Sequence, residues 1–286
     1  MRYEAPDSLP TAVALLASAH GDARVLAGGT DLLVQIRSEI LDPELIVDIK
    51  KIPETRSITT EAGGWRIGAA VTGAELKEHA GLTKDWPGVV EAANLIGSTQ
   101  VQGRATLGGN LGNGSPAADS VPALIAAGAL TTVAGPEGKR DIPVEDVMIG
   151  PRKLSLRTDE FIVSFFLPPR PKGSGDAYLR FIPRTEMDIA VVGAGVSVTV
   201  DGAGTITAAR VSLGAVAEKV LLVPAAAHTI IGTRLDGATQ ERLAAAARAA
   251  CRPIDDKRGT TEFRIDVAGV LARRAALIAL ERARTR

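Results

Sequence analysis

The chain has 286 residues, 45% hydrophobic and 23% charged, which is enough to bury a large core and to divide into two domains. Its 33 basic residues balance 33 acidic ones, and a formal net charge of zero leaves no electrostatic footprint for nucleic acid or an anionic membrane surface. A single cysteine, Cys251, excludes an internal disulfide and a cysteine-held iron–sulfur cluster within the chain, and His20, His79 and His228 have no metal-ligand spacing, so any metal or cluster belongs to a partner.

The opening MRYEAPDSLPTA lacks a basic region followed by an apolar stretch, and no window approaches the roughly 18 apolar residues of a membrane span; a cytoplasmic chain is expected. Ser8 is placed to cap a helix over 11–20, with Gly21 beyond its end. Val25 to Ala27 reads as a short strand, Asp31 opens a helix over LLVQIRS, and ELIVDI (44–49) reads as a buried strand, so about 1–55 forms a small β-α-β unit. WRIGAAV (65–71) is another strand, Thr72 and Glu75 have capping-box spacing for a helix ending at Gly81, and Pro87 suits the first turn of a helix through GVVEAANLIG. ALTTVAG (129–135) and EFIVSFFLP (160–168) suit strands, and PPRPKGSGD (168–176) has linker composition. Beyond it, Asp201-Gly-Ala-Gly joins two alternating runs as a hairpin. A helix over 239–251 and a long one capped by Asp266 close the chain.

Three glycine-rich stretches compete as sites. IAVVGAG (189–195) has the strand and first two glycines of a dinucleotide turn, but the third glycine falls at Val198 and a strand, VSVTV, follows where a helix N-terminus is required. It reads as a Gly-softened strand. VLAGGTDLL (25–33) places two glycines between a strand and a helix, a geometry that suits phosphate oxygens and equally a plain tight turn. ATLGGNLGNGSPAADSVPAL (105–124) supplies a second glycine turn over Thr106 to Asn110, followed by Asn113, Ser115 and Asp119. Two anion-sized turns suggest a diphosphate held from both sides. Asp119 also has a structural reading, as the cap of a helix with Pro122 in its first turn.

AGGTDLL, ATLGGNLGNGSPAADSVPAL and FIPRTEMDIAVVGAG, in this order and spacing, closely resemble the FAD-binding medium subunit of the molybdenum hydroxylases, the xanthine dehydrogenase and carbon monoxide dehydrogenase family. The resemblance spans essentially the whole chain. It implies an α+β fold: a two-part FAD-binding domain of the vanillyl-alcohol-oxidase type over 1–172, with subdomains of about 1–55 and 56–172, then a small α+β C-terminal domain over 177–286 with an antiparallel sheet and helices. It implies that Ala27, Gly28, Gly29, Thr30, Asp31, Leu32 and Leu33 form one grip on the FAD pyrophosphate and Thr106, Leu107, Gly108, Gly109 and Asn110 the other. Asn113 and Asp119 match positions that hydrogen-bond the cofactor, Ile162 a position packed on the flavin ring, and Arg180 a basic position near it; Arg184 and Asp188 match an Arg-x-x-x-Asp element at the domain junction. The chain departs from relatives at Val101-Gln-Gly-Arg104 and at Phe263, which stands in place of a tyrosine. With so few aromatic residues, aliphatic contacts to the flavin are expected.

The implied activity is electron transfer by an oxidoreductase subunit. Electrons from a molybdopterin centre on a large partner would pass through two [2Fe–2S] clusters on a small partner to this FAD, in a dimer of heterotrimers, with no catalytic nucleophile and no metal held by this chain. Two rival readings stand beside it: a stand-alone FAD enzyme, which needs a placed base that the scattered histidines do not supply, and a non-enzymatic nucleotide-binding protein, for which glycine turns alone suffice.

Overall fold

The computed structural model describes residues 1–184 and 186–285. The first region comprises β1 (Arg2–Glu4), α1 (Leu9–Ser18), β2 (Ala23–Leu26), α2 (Leu32–Arg37) and β3 (Leu45–Asp48). Its strands form a parallel sheet in the order β1-β3-β2. Central β3 is buried throughout, as a parallel strand covered on both faces must be. The expected β-α-β unit is thus present, extended by β1, whose exposed residues carry no alternation that a sequence reading could detect. Ser8 stands at the cap of α1, but its hydroxyl pairs with that of Thr11 at 2.8 Å rather than with the backbone.

The second region runs through α3 (Pro53–Arg56), β4 (Ile58–Glu61), β5 (Gly64–Gly68), α4 (Gly73–Glu78), α5 (Ala80–Asp85), α6 (Pro87–Ala93), α7 (Thr99–Gln102), α8 (Leu107–Gly112) and α9 (Ser120–Ala127). It continues with β6 (Leu130–Gly135), β7 (Gly138–Pro143), α10 (Val144–Val147), β8 (Met148–Gly150), β9 (Lys153–Leu154) and β10 (Phe161–Leu167). Five of these strands make an antiparallel sheet in the order β4-β5-β10-β6-β7. The Thr72–Glu75 capping box is formed, with Glu75 also accepting the Thr72 N–H at 2.8 Å. The helix it starts stops at Glu78, not at Gly81: the His79 imidazole accepts the Leu82 N–H at 3.1 Å and begins α5. Gly81 therefore lies inside α5, where a Cβ would sit 2.9 Å from the Trp65 ring.

The third region holds β11 (Ser174–Phe181), β12 (Val192–Val200), β13 (Ile206–Gly214), β14 (Leu221–Leu222), α11 (Pro224–His228), α12 (Gly237–Ala250) and α13 (Thr261–Arg284). The antiparallel order is β11-β12-β13-β14. The Asp201 carboxylate accepts the Ala203 and Thr205 N–H groups at 2.9 Å and shapes the β12–β13 hairpin. An alanine-lined face of α13 (Ala268, Ala272, Ala275, Ala276, Ala279) lets that helix lie close on the sheet, so close that a Cβ on Gly175 would be 1.9 Å from the Ala279 carbonyl oxygen. Asp266 is not the cap of α13; it lies one turn inside the helix, and Thr260 is the cap, accepting the Phe263 N–H at 3.2 Å. Cys251 follows α12 and is buried, its thiol donating to the Ala247 carbonyl at 3.2 Å, and burial pushes its pKa up to about 11: a packed residue rather than a nucleophile.

α9 joins the halves. All eight of its residues are buried, between α6 and the strands β12 and β13. This explains the IAVVGAG glycines: a Cβ on Gly195 would lie 2.4 Å from the Pro122 carbonyl oxygen of α9, and one on Gly193 would lie 2.6 Å from the Tyr178 hydroxyl. The Pro/Gly-rich stretch at 168–176 is also held fast. Arg170 stacks on Trp86 at 4.5 Å, pairs with buried Asp176 at 2.7 Å and donates to the Asp85 carbonyl.

Thr260→Ala is expected to lower stability by about 1 kcal/mol and Asp266→Ala by less than about 0.5 kcal/mol in denaturant melts, the reverse order restoring Asp266 as the cap. Gly195→Ala is expected to lower stability by about 1–3 kcal/mol through overpacking against α9, and an unchanged melting curve would contradict the contact.

Candidate functional site

Both glycine stretches line a single cleft of about 470 Å³. Ala27, Gly28, Gly29, Thr30, Asp31 and Leu32 run along one wall, from the end of β2 into α2; Thr106, Gly108, Gly109, Asn110 and Asn113 run along the other, and Ile162 of β10 also faces in. The second stretch is the start of a helix rather than a free turn, with Thr106 capping α8 through the Gly109 N–H at 2.9 Å. Leu33 is exposed to solvent and Leu107 is fully buried in the core, so neither lines the cleft.

The glycines divide by what they meet. A Cβ on Gly28 would lie 2.0 Å from the Arg104 carbonyl oxygen, and one on Gly108 would lie 2.5 Å from that of Ala69. Those two positions answer to protein backbone as well as lining the cleft. Gly29 has φ +80, a conformation that favours glycine. Gly109 and Gly112 are different: the nearest atom to a Cβ on Gly109 would be the Thr106 hydroxyl at 3.1 Å, and a Cβ on Gly112 would meet nothing within 4 Å. Their missing side chains open the cleft.

The first wall is braced from behind. Lys50 donates to the Ala27 carbonyl at 3.0 Å and to Asp48 at 2.8 Å, while the Tyr3 hydroxyl donates to Asp48 at 2.6 Å. Burial raises the Asp48 carboxyl, but these donors outweigh it and hold its pKa below the ordinary value. Between the walls, Gln35 of α2 donates to the Asn113 side chain at 2.9 Å. Sequence reasoning missed Gln35, although it lies one helical turn beyond Asp31.

Asp119 and Arg180 lie behind the second wall rather than on the cleft, paired at 2.6 Å and both nearly buried. Asp119 does not cap α9 with its side chain; it accepts from Arg180 and, at 3.0 Å, from Tyr178, while Asn110 takes the capping role by accepting the Ser120 N–H at 3.0 Å. Asn110 is therefore shared between the cleft and α9. Burial pushes the Asp119 carboxyl up to about 6, opposed by the Arg180 charge and the Tyr178 hydrogen bond. Arg184 and Asp188 form an ion pair at 3.4 Å, and Arg258 binds Asp188 at 2.9 Å; Thr185 of the same motif lies outside the described residues. A further wall escaped sequence reasoning: Arg152, Leu154 and Leu156 line the cleft, on a segment tied to Gly114 by the Arg152 N–H at 2.8 Å. No motif marks that segment. Phe161 is the one aromatic side chain among the described lining residues, beside Leu154, Leu156 and Ile162.

The sequence matches the FAD binding domain in molybdopterin dehydrogenase over residues 1–170 and the CO dehydrogenase flavoprotein C-terminal domain over 177–279. The chain belongs to the FAD-binding family of the molybdopterin dehydrogenases. It is 33% identical to the carbon monoxide dehydrogenase medium chain of Hydrogenophaga pseudoflava, covering 96% of this chain and 94% of that one. It is likewise 33% identical to a xanthine dehydrogenase FAD-binding subunit of Escherichia coli, covering 92% and 90%. Among solved structures, carbon monoxide dehydrogenase from Hydrogenophaga pseudoflava superposes with a TM-score of 0.94 at 33% identity, covering 99% of this chain and 98% of that one. Quinoline 2-oxidoreductase from Pseudomonas putida 86 gives 0.90 at 28% identity, with the same coverage. The fold is the two-domain α+β fold of this family, the cofactor is FAD, and the protein is an oxidoreductase subunit of the carbon monoxide and xanthine dehydrogenase type.

The residues present suit that cofactor. Two backbone walls, open at Gly109 and Gly112, allow a diphosphate to approach, and the aliphatic cluster around Ile162 offers an apolar seat for a flat ring. Among the described residues, no group of three or more His, Cys, Asp or Glu side chains is placed to hold a metal, and no helix is long and apolar enough to cross a membrane.

The raised carboxyl pKa of Asp119 carries a sign. Its folded value lies above the ordinary 3.8, so its contribution to stability is fully present below that value and is lost as pH rises through about 6. The melting-temperature difference, wild type minus Asp119→Asn, is expected to shrink as pH rises from about 4 to about 7.5, and a constant difference would place the titration elsewhere.

Proposed function

We propose that the chain is the FAD-carrying electron-transfer subunit of a molybdenum hydroxylase complex. It would take electrons from the [2Fe–2S] clusters of a small partner chain and pass them to an external acceptor, while a molybdopterin-holding large chain oxidises the substrate, the whole forming a dimer of heterotrimers. The observation that carries the reading is the convergence of two glycine-opened backbone walls on one cleft, in a chain that corresponds end to end with carbon monoxide dehydrogenase medium chains. The division of labour also agrees with the composition: four thiolates hold a cluster, and this chain has one cysteine, which is buried.

FAD supplies the redox step itself, accepting electrons and releasing them in pairs, while the protein binds, orients and tunes it. In this reading Ala27 to Leu32 and Thr106 with Gly108, Gly109 and Asn110 hold the diphosphate, Asn113 hydrogen-bonds the cofactor, and Ile162 with Leu154 and Leu156 packs on the ring and excludes water. Asp119 and Arg180 act indirectly, by fixing the base of α9 against which Asn110 is set. The boundary falls at 168–176, giving a cofactor domain over 1–172 and a C-terminal domain over 177–286. Choice of substrate lies outside this chain, since similar relatives bear names as different as carbon monoxide dehydrogenase medium chain, nicotine 6-hydroxylase medium subunit and caffeine dehydrogenase subunit beta.

Absorbance spectra and melting curves of the purified chain, before and after addition of FAD, test the reading. Flavin bands, FAD rather than FMN released on denaturation and a raised melting temperature are expected. A colourless chain that FAD does not stabilise, alone or with iron–sulfur and molybdenum partner chains present, would contradict it.

A further inference from the structure

The bracing of the first glycine turn bears on how the cleft is made ready for its ligand. Lys50 does not line the cleft, yet its ammonium group donates to the carbonyl of Ala27, the residue that leads into the turn. Asp48 is 5% exposed and holds that ammonium group at 2.8 Å, while itself accepting the Tyr3 hydroxyl and the Lys50 backbone N–H, at 3.0 Å. Lys50 is thus fixed by two oxygens and has no need of a ligand to place it.

The planarity of the peptide bond carries the consequence across to the other side. No cis peptide is present among the described residues, so the Ala27–Gly28 amide is trans. In a trans amide the carbonyl and the N–H point to opposite sides. A carbonyl drawn towards Lys50, behind the wall, therefore turns the Gly28 N–H away from Lys50, and Gly28 is a residue of the cleft surface. The Gly28 Cα leans on the Arg104 carbonyl, where a Cβ would come within 2.0 Å, so this peptide is confined on a second side as well. A flip of this peptide would remove the hydrogen bond to Lys50 and point a carbonyl oxygen, a poor neighbour for an anion, at the ligand.

We infer that Lys50 is a positioning residue for the cofactor: through the Ala27 carbonyl it holds the Gly28 N–H on the cleft side, where it donates to a phosphate oxygen of the bound dinucleotide. Asp48 and Tyr3 serve as the rear of the same brace. The inference rests on the reading of this cleft as the FAD site, and it assigns to Lys50 an effect on the phosphates with no contact to them.

The test compares the full-length wild type with Lys50→Met and Lys50→Arg, using FAD titrations followed by flavin fluorescence, melting curves of the FAD-free proteins and phosphorus NMR of the bound FAD. Lys50→Met is expected to bind FAD about tenfold more weakly or worse, the effect of one lost hydrogen bond to a charged group. One pyrophosphate resonance shifts while the visible flavin spectrum stays the same, and Lys50→Arg, which still reaches the carbonyl, restores both affinity and resonance. Affinity within about twofold of wild type for Lys50→Met, or a lost affinity that tracks a collapse in melting temperature with neither resonance moved, overturns the inference. If Lys50→Met does not fold, Lys50→Arg and Tyr3→Phe carry the decision: wild-type resonances in the first and a shifted one in the second are expected, and identical spectra in both overturn the inference. Failure of the wild type itself to bind FAD, with partner chains present, overturns the reading of the cleft and this inference with it.

Discussion

The cleft depends on one close contact between backbones. The Gly28 Cα lies against the Arg104 carbonyl so tightly that no other residue fits there. This contact sets the two glycine walls, 78 positions apart where Gln35 reaches Asn113, at a fixed separation. A single methyl group at Gly28 would push one wall off the other, because backbone cannot yield as a flexible side chain can. The second wall is tied down in turn to the segment from the end of β5 to the start of α4, where the Gly108 N–H donates to the Ala69 carbonyl at 3.1 Å and the Gly73 N–H donates to the Ala105 carbonyl at 2.9 Å. The site is thus built from main chain packed on main chain, which gives a shape that does not wait for a ligand to form it.

The same economy of side chains recurs where the C-terminal half docks. α9 passes between the halves with every residue buried, and both of its ends are held by arginines from the other side. Arg180 meets Asp119 at its start, and Arg210 donates to the Ile125 carbonyl at 2.9 Å near its end, while also pairing with Glu145 at 2.7 Å. Arg282 adds a tie from α13 to Glu91 at 2.5 Å and to the Asp176 carbonyl at 2.9 Å. Of these pairs Arg180–Asp119 is the buried one, and it fixes geometry more than it adds stability, since desolvation offsets much of its attraction. Through Asn110, which caps α9 and faces the cleft, that fixed geometry reaches the cleft wall.

Much of this was legible in the residues. The Gly28-Gly29 pair beyond a short apolar strand, the capping box at Thr72 and the Asp201 hairpin each follow from local chemistry. What escaped was non-local or went against propensity. α8 contains three glycines in six residues, a poor helix by intrinsic preference, and it forms because Thr106 caps it and Leu107 and Leu111 are buried beneath it. The partner of Asp119 lies 61 positions away, so its local reading as a cap could not anticipate Arg180. The segment from Arg152 to Leu156 carries no motif at all, and it is held at the cleft by non-local bonds such as that from the Arg152 N–H to the Gly114 carbonyl. Asp266 resembles a helix start, yet Thr260 caps the helix earlier and the stronger signal prevails.

In the proposed complex, two backbone walls close on one diphosphate from opposite sides. Amide hydrogen exchange, followed residue by residue with and without FAD, tests it most directly. The amides of 28–32 and 107–110 are expected to slow together on FAD binding, while those of the Asp201 hairpin do not change. Protection of one stretch without the other, or of neither in a chain that binds FAD, would contradict it.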